Sequence, residues 1–194
     1  MADVVVYHHV QGLTAGVASF ADALRRAGHT VHTPDLFEGR TFATIEEGMA
    51  YAREFGFGAL LERGVAAAEG LTSPGVVYAG FSLGAMPAQQ LAQTREDTGG
   101  ALLFHACLPV SEFGEQWPTG VPVQVHAMES DPFFAGEEGC DLDAARDLVA
   151  STDQAELFLY PGDRHLFADS SLPVYDPAAS AALMERVLRF LERV

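Results

Sequence analysis

The sequence predicts an α/β fold in which a mostly parallel sheet carries helices on both faces. Three observations predict it. Short apolar runs rich in β-branched residues alternate with stretches of helical periodicity, in the order β-α-β-α-β-α-β-β-α-β-α. A Gly-x-Ser-x-Gly motif, Gly80 to Gly84, stands between a predicted strand and a predicted helix. Ser82, Asp131 and His165 each fall just past the end of a strand. Open parallel sheets bind their ligands at that edge.

The elements follow in order. Val4-Val5-Val6-Tyr7 is continuously apolar, the mark of a strand buried on both faces. After a loop at 11–14, Val17, Phe20, Ala21 and Leu24 recur at helical spacing, so a helix spans 17–27 and Gly28 ends it. Residues 29–33 form a second strand, and Pro34-Asp35 opens a long loop. Residues 45–57 and 60–68 read as two helices broken near Gly56 and Gly58. Val76 to Ala79 is the strand entering the Gly-x-Ser-x-Gly motif, and 86–94 is the helix leaving it. Strands at 101–105, 121–127 and 155–160 follow, with an irregular stretch at 109–120. Helices at 142–150 and 178–194 complete the chain.

Composition limits the function. A chain of 194 residues, 48% hydrophobic and 20% charged, fits one globular domain spanning 1–194. The net charge is −16, and every fixed side-chain cation is an arginine. Such a balance argues against nucleic acid and anionic membrane surfaces as partners. The apolar run after Met1-Ala2-Asp3 is too short for a signal sequence, and none approaches the ~18 residues of a membrane span, so a cytoplasmic location is expected. Cys107 and Cys140 form no Cys-x-x-Cys pair and read as small, buried or half-buried thiols. His29 and His32 point to opposite faces of a strand. No zinc-ligand spacing, dinucleotide loop or phosphate loop is present, so neither a cofactor nor a metal is expected.

The candidate chemistry is acyl transfer by serine. It needs a nucleophile, a base to take its proton and an acid to orient the base. On this architecture the three occur in the order Ser, Asp or Glu, His. Ser82 sits where a turn is so tight that only glycine fits two residues to either side. The backbone N–H of Leu83 then lies where an oxyanion would form. Asp131 follows the fifth strand, with Glu129 as its rival. His165 follows the sixth, with Asp163 nearby as a weaker candidate for the acid. His8, His9 and His105 end strands at the same edge and are candidates to line a pocket.

Four segments together resemble the dienelactone hydrolase family. They are His8-His9-Val10-Gln11-Gly12-Leu13, Thr33 to Arg40, Gly80 to Gly84, and Tyr160-Pro161-Gly162-Asp163-Arg164-His165-Leu166-Phe167-Ala168. The resemblance implies a small α/β-hydrolase fold without a separate lid domain, a Ser82-Asp131-His165 triad, and a second oxyanion donor at the backbone N–H of Val10. Three departures stand out. Ser82 replaces the cysteine nucleophile of the best-known members. His9 occupies the position of a glutamate that interacts with that thiol. Asp169 occupies the position of an arginine that helps hold a substrate carboxylate.

The expected function is therefore hydrolysis of an ester, lactone or thioester of a small molecule, by a monomer or small homo-oligomer. Two alternatives stay open: an acyl-protein thioesterase or carboxylesterase type of enzyme, and a non-catalytic α/β-hydrolase fold that binds a small ligand. His9, Gln11, Arg40, His105 and Asp169 are the expected pocket residues. Asp169 is expected to make the pocket anionic and disfavour carboxylate-bearing substrates, unless Arg40 reaches in.

Overall fold

A computed structural model describes residues 1–71, 73–136 and 141–194. The six strands are β1 (Asp3–Tyr7), β2 (Thr30–His32), β3 (Val76–Phe81), β4 (Thr98–Phe104), β5 (Val123–Met128) and β6 (Ala155–Tyr160). All pair in parallel in one sheet of order β2-β1-β3-β4-β5-β6. The helices are α1 (Ala15–Arg26), α2 (Ile45–Phe55), α3 (Phe57–Ala67), α4 (Ala85–Thr94), α5 (Asp141–Ser151) and α6 (Pro177–Leu191). The strand order reverses direction at β1, which puts a crevice beyond the neighbouring ends of β1 and β3.

The central strands β1, β3 and β4 are buried on both faces along most of their length, so they carry apolar residues without alternation. Val4, Val6, Ala79, Phe81 and Phe104 pack with Val17, Phe20 and Leu24 of α1 and with Leu183, Val187 and Phe190 of α6. Val5, Tyr7, Tyr78, Leu103 and Val125 face the other way, toward Ala52, Leu60, Leu91 and Leu148 of α2 to α5. The Tyr7 hydroxyl donates 2.8 Å to the Gly64 carbonyl and pins α3 to the sheet.

Element edges differ from expectation for identifiable reasons. β3 runs on through Gly80 and Phe81, because Gly80 still pairs with Tyr7 of β1. β5 starts at Val123 rather than Val121, because Pro122 has no N–H to give the ladder. α1 starts early, at Ala15, because the Thr14 hydroxyl accepts from Val17 N–H and caps it. α2 stops at Phe55, where Gly56 at φ 98° makes the joint to α3. Cys107 is buried, and Cys140 lies outside the described residues. Among the described residues no helix is long and apolar enough to cross a membrane.

The contact between the turn after β3 and the end of β1 is the tightest constraint on this edge of the sheet. A Cβ on Gly84 would stand 2.6 Å from the Tyr7 carbonyl oxygen and 2.8 Å from that of His8. Neither backbone can yield without distorting β1. Gly84→Ala is therefore expected to cost about 2–3 kcal/mol of stability. Gly58→Ala, with nothing within 4 Å of its added methyl, is the control and should leave stability level or slightly raised. Urea unfolding of both variants checks this, and equal midpoints would show that the turn has room to spare.

Candidate active site

Ser82 leaves β3 at φ 49°, in the left-handed region that a side chain rarely adopts. Such a conformation costs roughly 1–3 kcal/mol and persists only where the surroundings enforce it. Here they do. A Cβ on Gly80 would run into the Gly84 carbonyl, and one on Gly84 into the end of β1. The turn lifts the Ser82 hydroxyl to 3.0 Å from Nε2 of His165. Nδ1 of the same ring lies 2.7 Å from Oδ2 of Asp131. With Nδ1–H donating to the carboxylate, the Nε2 lone pair is left to accept the Ser82 proton. Asp131 is fully buried, and its other oxygen accepts from Phe133 N–H at 2.9 Å. His165 is held by a tight turn of its own, since Leu166 has φ 62°. Glu129 and Asp163 are exposed, and the imidazole bonds Asp131 instead.

A cleft of about 470 Å³ opens over this chain of hydrogen bonds. Ser82, His165, His105, Ala106, Val10 and Phe133 are among its lining residues. The Phe133 ring is 50% exposed, and it lies 4.8 Å from the His165 ring. One wall is α2, which contributes Ile45, Glu46, Met49 and Arg53. Asp141, the first residue of α5, completes the lining. Burial pushes its carboxyl up to about 6, and the hydrogen bond from Cys107 N–H opposes this only in part. A larger hollow of about 740 Å³ lies between the 109–120 segment and α5, but no member of the Ser82–His165–Asp131 chain lines it.

Four of the expected pocket residues do not line the cleft. Asp169 is fully buried and not part of the lining. Its Oδ2 accepts from His9 Nε2 at 2.7 Å and from the Thr14 hydroxyl at 2.5 Å. Its Oδ1 accepts from Ser171 N–H and from the Ser171 hydroxyl. Burial would raise its pKa, but these donors outweigh burial and hold it down to about 2. His9 is likewise fully buried, with Nδ1 accepting from Gln11 N–H at 3.1 Å. Gln11 turns its amide onto the carbonyls of Phe42 and Ala43. Arg40 is exposed, its guanidinium 5.3 Å from the centre of the Tyr51 ring. The expectation of an anionic pocket made by Asp169 is thus overturned: its carboxylate is consumed by local donors.

His105 does line the cleft. It sits at φ 65° with both ring nitrogens buried and unpartnered. Its ring packs edge-on against His165 at 5.5 Å and against Phe167 at 4.8 Å. Burial holds its pKa well below the ordinary imidazole range, so the ring stays neutral. His8 is also neutral: burial lowers its pKa to about 4. Its Nδ1–H donates to the His9 carbonyl, which leaves Nε2 to accept from Leu36 N–H. The sequence analysis did not single out the α2 wall. Its signal was the spacing of Ile45, Met49 and Arg53, four residues apart on one helix face. Phe133 and Asp141 carried no such signal. Among the described residues no group of three or more His, Cys, Asp or Glu stands arranged to hold a metal ion.

The model of the dienelactone hydrolase family matches residues 1–194. A candidate dienelactone hydrolase from Klebsiella pneumoniae is similar in fold at 16% identity, with 100% of this chain and 88% of that chain covered and a TM-score of 0.74. A dienelactone hydrolase-like promiscuous phosphotriesterase from metagenomic libraries is similar at 19% identity, covering 99% of this chain and 86% of that one, with a TM-score of 0.73. Mouse alpha/beta hydrolase domain-containing protein 10 is similar at 12% identity, with coverages of 98% and 90% and a TM-score of 0.67. Comparison with curated proteins gave no significant match.

The Asp169 cluster makes a prediction about stability. Its folded pKa of about 2 lies below the ordinary 3.8, so it stabilises the fold above that range and loses the effect as pH falls toward 2. Asp169→Asn should be less stable than wild type at pH 7 by about 3 kcal/mol, because a buried acceptor for three side chains is replaced. The gap should shrink in acid, because below about pH 4 the unfolded wild-type chain takes up a proton that the folded carboxylate does not accept until about pH 2. Urea unfolding of both proteins at neutral pH and at about pH 3 checks this. A gap independent of pH would contradict it.

Proposed function

This chain belongs to the dienelactone hydrolase family, and from that premise we propose that it is a serine hydrolase of small-molecule esters, lactones or thioesters. The α/β-hydrolase fold supplies the frame. The single observation that carries the reading is the continuous hydrogen-bonded chain from Ser82 Oγ through His165 to buried Asp131, at 3.0 and 2.7 Å, opening on a cleft.

In this reading Nε2 of His165 takes the Ser82 proton as Oγ attacks the carbonyl carbon. The backbone N–H groups of Leu83 and Val10 receive the oxyanion. Asp131 fixes the tautomer and stabilises the imidazolium. Collapse breaks the bond to the alcohol or thiol, which leaves with the proton from Nε2. A water then gives a proton to His165 and attacks the acyl group, and the acid departs with Ser82 restored. Apolar Ile45, Met49 and Phe133 give the acyl or alcohol part a surface to bury. The reaction as written needs no cofactor, and its partner is the small substrate.

Two tests follow. Ser82→Ala should fold normally and lose about 10⁴-fold or more in kcat on an activated ester, together with labelling by a serine-directed phosphonate. Retention of a tenth of wild-type kcat would reject Ser82 as nucleophile, and no labelling of wild type would favour a ligand-binding role. Asp131→Asn should also cost orders of magnitude, because the imidazole loses its anionic partner. Asp163→Asn should cost little. The reverse ranking in kcat/KM would move the acid to Asp163.

A further inference from the structure

The cleft contains a carboxyl that the proposed reaction does not use. Asp141 lines the same cavity as Ser82 and His165. Among the described residues its one hydrogen-bond partner is the backbone N–H of Cys107, 3.2 Å from Oδ2. No arginine is within ion-pair distance of it among the described residues. Val10, Ala106 and Phe133 add apolar lining to the same cavity.

Resting on the hydrolytic reading above, we propose that Asp141 sets the charge preference of this cleft. It disfavours acyl groups that carry a carboxylate near the scissile carbonyl and accepts those that are neutral or cationic there. The physical reason is local. A half-buried carboxylate is screened far less than an exposed one. A second anion brought to within a few ångströms is repelled enough to lose about tenfold or more in binding. An ammonium is attracted by the same field.

The other charged groups of the cleft do not cancel this one. Glu46 and Arg53, both from α2, are exposed and oppose each other in sign. Asp131 is spent on His165, and His105 at the end of β4 is neutral. Asp141 therefore supplies the anion that the sequence had assigned to Asp169. Its carboxyl titrates at about 6, with burial the main cause, so the exclusion is strong above neutrality and fades in acid. Substrate carboxylates remain ionised across that interval.

The test uses nitrophenyl esters that differ only at the acyl terminus, bearing methyl, carboxylate or trimethylammonium. The readout is the ratio of kcat/KM values at low salt, in which shared effects on Ser82 and His165 cancel. Wild type at pH 8 should prefer the methyl and trimethylammonium esters over the carboxylate ester by about tenfold or more. Asp141→Asn keeps an acceptor for Cys107 N–H and should narrow that preference by about tenfold. Wild type alone should show the same narrowing between pH 8 and pH 5, which needs no variant to fold. An Asp141→Asn ratio equal to wild type, or a larger change in Glu46→Gln, overturns the proposal while ester turnover keeps the hydrolytic reading. A wild type that neither turns over any ester nor reacts with phosphonate overturns both.

Discussion

Everything at the upper edge of this sheet is built around one steric constraint. The chain leaving β3 must turn within contact of the last carbonyls of β1, because Gly80 pairs directly with Tyr7. Only glycine at 80 and 84 leaves room for that turn, and Ser82 between them is forced to φ 49°. The flanking strands, buried on both sides, hold the strain in place. The same closeness puts the end of β1, and hence Val10, beside the serine. Ser82 and Val10 thus line one cleft because two strands are neighbours.

A second constraint joins the loops that the sheet alone leaves independent. Asp169 takes hydrogen bonds from His9 and Thr14 on the loop after β1, and from Ser171 on the segment beyond His165. A Cβ on Gly16 would collide with its carboxylate, so α1 starts directly against this cluster. Buried polar networks of this kind rigidify when every member is satisfied. Here the network holds the Val10 loop against the segment that carries His165. Two residues that differ from the better-known family pattern, His9 and Asp169, are thereby explained together: they are each other's partners.

Strands β1 and β3 were legible in the sequence because each holds a continuous apolar run, whereas β2 offers only Val31 between Thr30 and His32. The places of Ser82, Asp131 and His165 were legible because each follows a strand in a parallel sheet, which brings strand ends to one edge. The direction of side chains beyond those ends was not. His9 and Asp169 lie 160 residues apart and meet only through folding, so no local pattern announced that they pair. Arg40 looked able to reach the site, yet it lies over Tyr51, a packing choice fixed by the long loop after β2. Asp141 reads as an ordinary acidic residue opening a helix. Its place in the cleft depends on how the end of β4 and α5 approach each other, seen in the bond from Cys107 N–H.

The covalent role of Ser82 is the claim on which the functional account stands. It is tested most directly by quenching wild-type protein in acid during turnover of a slowly hydrolysed ester and mapping the adduct by mass spectrometry. The account predicts one acyl group, on the peptide that contains Ser82, appearing with the burst of released alcohol and disappearing when substrate is exhausted. Turnover with no adduct at Ser82, or with the acyl group on Cys107 or Cys140, would contradict it.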